Sequence, residues 1–482
     1  MAIDLTNIAS FQDAVVTVMG LGRYKQGSGI GAAKWLMRHG AQIVITDLKS
    51  QEELKESVDE IMEWYEKYRQ MYPQRAIYSP VFVLGEHRAD DFTDVQLVVQ
   101  NPGVPRESEF VQLARDHGVS VESDVSLFFR LCPFPIYAVT GTRGKSTTTA
   151  LIGEILKTTN PKTIVAGNIA VSPLEFLDEL LMKKEAVPIV LELSSWLIES
   201  LENVDRGPDI GVLTNVYEDH LNRYGSFEDY AKSKEAMFAH QTAEQVAVLN
   251  YDHELVRAIG ERVKGKRKWF SLRPFDGEGA CVDAGVMMFR RGDDVEEVLS
   301  VKDMKLQGEH NVQNALAAIC VAREVGVPAD TVASVLRTFE GLPGRQETVR
   351  ELDGVTYVND TTATSPDGAI AALERFGLNG QVVLIAGGSS KNLSLDKLGK
   401  VIRATAKFVV LLEGTATDEF IKAIGDSIPS VRVDSMKKAV EAASKVAQKG
   451  DIVLMSPGTA SYGMFKNEYD RGGQFVDAVK AL

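Results

Sequence analysis

The sequence predicts an α/β protein of three domains, each an open, mostly parallel sheet covered by helices. Short apolar runs alternate with helix-length amphipathic segments along the chain, which is the pattern of such sheets. Two of the runs end in glycine-rich turns that open a helix, at residues 20–31 and 141–147. At 482 residues the chain is also too long for one core, so roughly two to four domains are expected. Pro133 and Pro135 mark one linker and Gly341-Leu342-Pro343-Gly344 another, dividing the chain into 1–133, 134–342 and 343–482.

Residues 14–19 read as the first strand, followed by Gly20 and Gly22 and by Gly27, Gly29 and Gly31. A helix over 32–38 and a strand over 42–46 ending at Asp47 complete the outline of a nucleotide-binding βαβ unit. Residues 23–26 lengthen the turn and break the G-x-G-x-x-G spacing, so a dehydrogenase is the weaker reading. Residues 52–71 carry Leu54, Val58, Ile61, Met62, Trp64 and Tyr65 at helical spacing and predict an amphipathic helix covering this domain. A buried strand over 95–99 leads into the rigid loop Asn101-Pro102-Gly103-Val104-Pro105, at the strand end where open sheets face their ligands.

The second glycine turn carries more chemistry. Residues 136–139 read as a buried strand and 147–156 as a helix, with Gly141, Thr142, Gly144, Lys145, Ser146 and Thr147 in and after the turn between them. The chain has Val139 where G-x-x-x-x-G-K-[ST] wants glycine, leaving the shorter form G-T-x-G-K-S-T. Such a turn aims backbone N–H groups at a phosphate beside the positive end of a helix dipole. Lys145 can reach terminal phosphates, and Ser146 offers a hydroxyl to magnesium. The central domain is therefore predicted to be of the P-loop ATPase type.

Glu192 lies inside an apolar strand over 188–193, where a carboxylate is costly unless paired or metal-bound. The strand over 210–214 ends at Asn215, and Glu218, Asp219 and His220 follow, a set suited to a metal–phosphate site. A helix over 230–238 bears Lys232 and Lys234. Asn311 and Asn314 share one face of a helix, where their amides suit an adenine edge; capping by Asn311 is the plainer alternative. Beyond the second linker, segments at 355–358, 369–376, 382–385, 408–412 and 452–455 describe another open sheet. Lys391 follows Gly387-Gly388 at a strand end, with Thr364 and Ser461 expected nearby. We expect a buried ammonium there, suiting an amino acid with a second carboxylate.

Composition limits the alternatives. Apolar residues make up 44% and charged residues 25%, ordinary for a globular protein. A net charge of −14 with no polybasic face argues against nucleic acid. Cys132, Cys281 and Cys320 lack metal-like spacing and suit a reducing cytoplasm. With no signal-like start and no apolar run near the roughly 20 residues that span a bilayer, a cytoplasmic protein away from the membrane is expected.

These motifs, in this order, resemble the Mur ligases of peptidoglycan synthesis, and in particular their glutamate-adding branch. The resemblance includes Asn101-Pro102-Gly103, the loop 141–147, Gly167-Asn168, the run 191–195, the run 215–220 with Arg223-Tyr224, and the run 230–234. It continues through 310–316, Gly341 to Arg345, Asn359-Asp360, the run 456–461 and Phe465-Lys466-Asn467. It implies ATP, magnesium, UDP-N-acetylmuramoyl-L-alanine and glutamate as reactants of a monomeric, ADP-forming ligase. The first domain (Gly22, Asp47, Asn101, Gly103) would hold the uridine diphosphate substrate, with Asn168 and Ser194. Lys145 would hold the β and γ phosphates. Ser146 and Glu192 would bind one magnesium, and His220 a second. Lys234 would be carbamylated, Asn311 and Asn314 would contact adenine, and Arg345 and Asp360 would reach ATP. Thr364, Lys391 and Ser461 would grip glutamate. D-glutamate is favoured, with L-glutamate and a catalytically silent ATP-binding relative left open.

Overall fold

The computed structural model describes residues 3–22, 27–168, 171–219, 223–377, 381–391 and 393–482. The chain forms two compact units, Met1–Phe339 and Glu340–Leu482. The first unit holds two sheets and the second holds one, so the α/β class predicted from the sequence is the class observed.

Strands β1 (Val15–Met19), β2 (Gln42–Asp47), β3 (Val81–Leu84), β4 (Leu97–Gln100) and β5 (Ser120–Glu122) form a parallel sheet in the order β3-β2-β1-β4-β5. The order reverses beside β1, the kind of point at which an open sheet presents its ligand crevice. The helix Ser28–Arg38 follows β1 and buries all of Gly29 to Met37, because one face packs on the sheet and the other on the next sheet's helix Leu174–Leu181. Its glycines allow both contacts. A Cβ at Gly29 would stand 2.4 Å from the Gly20 carbonyl oxygen, and one at Gly31 would stand 2.4 Å from Ser172 Cβ. Trp35 Nε1 donates to Asp178 across that junction. The predicted amphipathic helix is present as Lys55–Met71 and buries Val58, Ile61 and Tyr65. It also anchors the first glycine turn, since Ser57 Oγ donates to the Gly22 carbonyl at 2.9 Å.

The second sheet has nine strands: β6 (Ile136–Thr140), β7 (Ile164–Gly167), β8 (Ile189–Glu192), β9 (Ile210–Leu213), β10 (Val246–Asn250), β11 (Lys266–Ser271), β12 (Gly279–Asp283), β13 (Val286–Arg291) and β14 (Asp294–Ser300). Their order is β14-β13-β12-β11-β10-β9-β6-β8-β7, parallel from β7 to β12 and antiparallel beyond. Strand β6 is buried on both faces, which is why its sequence is an unbroken apolar run. The helix Lys145–Thr159 leaves it to pack on the helix Glu309–Glu324, whose run of buried alanines permits close approach. The predicted helix starts late: the structure begins it at Lys145, because Gly144 takes a left-handed conformation that closes the turn directly onto the first helical residue.

In the second unit, β15 (Glu347–Leu352), β16 (Val355–Asn359), β17 (Val382–Gly387), β18 (Ala406–Leu412), β19 (Ser430–Val433) and β20 (Ile452–Met455) stand in the order β15-β16-β20-β17-β18-β19. Only β15 runs antiparallel. The carboxyl ends of β16, β20 and β17 are thus adjacent, and each is followed by one of the candidate acceptor segments.

Candidate active site

The loop after β6 owes its shape to the end of β9. Thr142 N donates to the Asn215 carbonyl at 2.9 Å and Arg143 N to Asn215 Oδ1 at 2.8 Å, while Thr214 Oγ1 donates to the Arg143 carbonyl at 2.6 Å. Gly141 must be glycine, since a Cβ there would lie 1.9 Å from Thr214 Oγ1. Gly144 is in the same position against Asn314 Oδ1, at 2.3 Å. No side chain caps the helix that follows, and its N-terminus is the kind of site that suits an anion. Lys145 Nζ folds over the turn and donates to the carbonyls of Gly141 (3.0 Å) and Thr142 (3.1 Å). Ser146 is buried in the first helical turn, with Thr147 beside it.

Glu192, the last residue of β8, is 2% exposed. Its Oε1 accepts from Asn168 Nδ2 at 2.9 Å, and its Oε2 is buried with no hydrogen-bond partner. Gly167 makes this approach possible, because a Cβ there would stand 2.4 Å from the Glu192 carbonyl oxygen. Lys234, on the helix Phe227–Glu235, is 1% exposed, and its Nζ donates to Gly141 O at 3.0 Å, 4.6 Å from the Tyr230 ring centroid. Burial holds this amine well below the usual lysine range and the charge of Lys145 lowers it further, partly offset by Asp219 and Glu192. Lys232, two residues earlier, is exposed beside Asp229. The structure therefore brings Gly141, Thr142, Gly144, Lys145 and Lys234 together, with Glu192 and Asp219 within electrostatic reach of Lys234. His220 lies outside the described residues.

Two features escaped the sequence reading. Thr214 and Asn215 build the phosphate loop from a different strand, although only their place at a strand end was legible. Tyr230 and Thr142 approach through their hydroxyls at 3.3 Å, joining the Lys234 helix to the loop. Asn311 does not cap its helix: Gly308 stands at the cap, and Asn311 Nδ2 reaches back to the Gln307 carbonyl at 2.9 Å. Asn314 donates to Asn311 Oδ1 and accepts from Thr148 Oγ1, so the pair shares one face directly beneath Gly144.

In the first sheet, Gly22, Asp47 and Asn101 gather at the ends of β1, β2 and β4. Asp47 accepts from Leu21 N and Lys49 N, and Asn101 Oδ1 accepts from Gly103 N. A Cβ at Gly22 would lie 3.3 Å from Asn101 Nδ2. Ser194 caps the short helix Ser195–Glu199.

In the second unit, Lys391 Nζ donates to Thr364 Oγ1 at 3.2 Å, and Ser461 follows Ala460, whose backbone pairs with Ser389. The expectation of a buried ammonium is corrected here. Lys391 is exposed because its loop runs out past the end of β17. Asp360 is buried, accepting from Ser456 Oγ at 2.7 Å and Gln346 N at 3.1 Å; burial raises its pKa to about 7 against the opposing effect of those bonds. Arg345 is half-buried.

Among the described residues no cluster of three or more His, Cys, Asp or Glu can enclose a metal. A magnesium ion is commonly held by one or two carboxylates together with substrate phosphates, and Glu192 Oε2 is a buried carboxylate oxygen without a hydrogen-bond partner.

A phosphate loop with a buried carboxylate and a buried lysine beside it defines a nucleotide-dependent enzyme. Residues 139–322 match the Mur ligase middle domain and residues 344–458 the Mur ligase glutamate ligase domain. The chain belongs to the Mur ligase family, the ATP-dependent ligases of peptidoglycan precursor synthesis. It is 41% identical to UDP-N-acetylmuramoylalanine–D-glutamate ligase of Roseiflexus sp. (strain RS-1), covering 96% of this chain and 98% of that one. It is 37% identical to the ligase of the same name from Caldanaerobacter subterraneus subsp. tengcongensis, covering 97% and 98%. The UDP-N-acetylmuramate-alanine ligase of Thermotoga maritima shares the fold, with a TM-score of 0.58 at 20% identity over 97% of this chain and 99% of that one.

Proposed function

We propose that the chain joins D-glutamate to the alanyl carboxylate of UDP-N-acetylmuramoyl-L-alanine, with hydrolysis of ATP to ADP and phosphate. The observation that carries this is the conjunction of a phosphate loop after β6, a buried carboxylate oxygen without a partner at the end of β8, and a buried lysine, its pKa lowered by burial, that reaches the loop from the helix Phe227–Glu235. The shared name of full-length relatives supports the choice of substrates. In the proposed division of labour, residues 1–133 hold the uridine diphosphate end through Gly22, Asp47, Asn101 and Gly103. Residues 134–342 hold ATP, and residues 343–482 hold the amino acid.

The substrate carboxylate attacks the γ-phosphorus, the bond to the β,γ-bridging oxygen breaks, and an acyl phosphate and ADP result. The amine of glutamate then attacks the acyl carbon, a proton leaves the nitrogen, and phosphate departs. Such transfers depend on positioning and charge neutralisation. Lys145 exchanges the carbonyls of Gly141 and Thr142 for phosphate oxygens. Ser146, Glu192 and His220 are the proposed magnesium ligands, and magnesium bound there supplies charge neutralisation at the phosphates. Asn168 holds Glu192 in place, and Ser194 is proposed to contact the muramoyl substrate. Asn311 and Asn314, under Gly144, form the adenine side, with Arg345 and Asp360 as third-domain contributors.

Lys234 is proposed to be carbamylated. Burial and Lys145 favour its unprotonated form, whose nitrogen adds to carbon dioxide; an N–C bond forms, a proton is lost, and an anionic carbamate results where an ammonium would be repelled by Lys145. The acceptor is gripped by Thr364, Lys391 and Ser461. The test is phosphate release with ATP, magnesium, the muramoyl substrate and each glutamate enantiomer. Release dependent on the muramoyl substrate and D-glutamate is expected. Preference for L-glutamate overturns the handedness, and release indifferent to both substrates overturns the reading.

A further inference from the structure

The helix Glu468–Lys480 begins at an Asn467 cap and turns its fourth residue, Arg471, inward beneath the strand ends of the second unit. Arg471 is completely buried. Its guanidinium donates to Thr361 Oγ1 (Nε, 3.2 Å), to the Thr361 carbonyl (Nη2, 2.8 Å) and to the Thr459 carbonyl (Nη1, 3.3 Å). Every one of these partners is neutral. Glu468 and Asp360 reach it only through longer-range attraction, and burial lowers its pKa to about 10, which still leaves it a cation at neutral pH.

A buried cation hydrogen-bonded only to neutral groups is costly, and the cost falls when a ligand brings the missing negative charge. The placement of Arg471 fits that role. Thr361 opens the segment that leads to Thr364, and Thr459 lies two residues before Ser461. Thr459 Oγ1 is itself buried without a hydrogen-bond partner, and it faces the loop of Lys391: a Cβ at Gly388 would stand 3.2 Å from it. The Ser389–Ala460 bridge joins the same two loops. One guanidinium therefore ties two of the three segments that carry Thr364, Lys391 and Ser461, and the third is zipped to them.

We propose that Arg471 is the positioning and charge-selecting residue of the acceptor pocket: it fixes these loops and supplies a standing positive charge that a dicarboxylic amino acid neutralises, with the Thr459 hydroxyl left as a further contact for it. The inference rests on the reading of this pocket as the acceptor site. It assigns the choice of glutamate over its uncharged amide, glutamine, to a buried arginine as well as to the exposed Lys391.

The experiment compares Arg471→Met and Arg471→Lys with the unaltered protein for KM and kcat toward D-glutamate, D-glutamine and ATP, with melting temperature recorded. Arg471→Met is expected to raise KM for D-glutamate about tenfold or more and to erode discrimination against D-glutamine, with KM for ATP within about twofold. Arg471→Lys keeps the charge but loses the fork, so discrimination should largely survive with a smaller rise in KM. If the Met variant does not fold, the Lys variant decides: retained discrimination supports the inference, and lost discrimination overturns it. Equal discrimination in the Met variant and the unaltered protein overturns it as well. An unaltered protein that shows no glutamate-dependent phosphate release overturns the functional reading and this inference with it.

Discussion

The phosphate loop of the first unit and the proposed acceptor segments of the second lie at the same address, the carboxyl ends of parallel strands, yet they are built in opposite ways. The loop is mainly backbone. Its shape comes from two glycines, from carbonyls and amides held by Thr214 and Asn215, and from a helix N-terminus, with the Lys145 ammonium folded over it. The proposed acceptor segments are mainly side chains: Thr364, Lys391 and Ser461 come from three strand ends, and Arg471 from a fourth element bonds Thr361 and Thr459 in two of those segments. Backbone cradles suit a phosphate, which any N–H can bind. Recognition of one amino acid needs particular side chains at particular distances.

The largest expected effect tests the first half of that contrast. Lys145→Ala leaves the glycines and the Asn215 bonds that shape the turn, so the fold should persist. Turnover should fall by about a hundredfold to a thousandfold or more, the scale seen when one charge-stabilising donor is removed. Steady-state phosphate release, with circular dichroism as the check on folding, measures this. Near-normal activity would mean that the backbone cradle suffices and that the lysine is not its working charge.

A second effect lies between the two kinds of site. Lys234 is a side chain, but it is held by the loop's own backbone through Gly141 O. Lys234→Ala should lower turnover strongly, and acetate, a small carboxylate, should restore part of it. Lys232→Ala, changing an exposed residue on the same helix, should leave activity within about twofold. Equal losses in both variants without rescue would reduce Lys234 to a packing residue.

This difference in construction also explains what the sequence disclosed. The phosphate loop is contiguous, so strand, turn and helix could be read directly from residues 136–156, with only the helix start displaced. The bond from Asn215 to that turn spans more than seventy positions of sequence and has no local signature. In the acceptor region, a lysine after a glycine pair was read as the buried charge, but burial depends on where the loop goes after its strand, and this loop goes outward. The buried cation is Arg471, which sits in an ordinary helical sequence, Glu468-Tyr469-Asp470-Arg471, where nothing local separates it from a solvated arginine. The antiparallel extension β12-β13-β14 was missed for a similar reason: its strands alternate weakly and mix charged with apolar residues.

The smallest expected effect is one of stability, and it sharpens the contrast from the side-chain end. Asp360 is buried at the end of β16 with two hydrogen bonds, from Ser456 Oγ and Gln346 N, and its pKa is raised from 3.8 to about 7. In the unfolded chain the same carboxyl titrates near 3.8. Between these values the folded state therefore holds the proton that the unfolded state has lost. The folded state binds more protons, so its stability falls as pH rises through this window, by at most about 1.4 kcal/mol per pH unit from this group alone. Above pH 7 both states are ionised and the contribution levels off; below 3.8 both are protonated and the full benefit returns. Asp360→Asn keeps the shape and removes the titration. Denaturant unfolding of the full chain at pH 5, 6, 7 and 8, followed by a probe in the second unit, should show a shallower decline in the variant than in the unaltered protein, with the two curves converging in slope above about pH 7. Parallel curves across the whole range would mean that Asp360 stays ionised in the folded state, its charge balanced by Arg345 and Arg375. In that case Arg471 would also have a true counter-charge nearby, and the acceptor pocket would be less dependent on its ligand for neutrality than its hydrogen bonds imply.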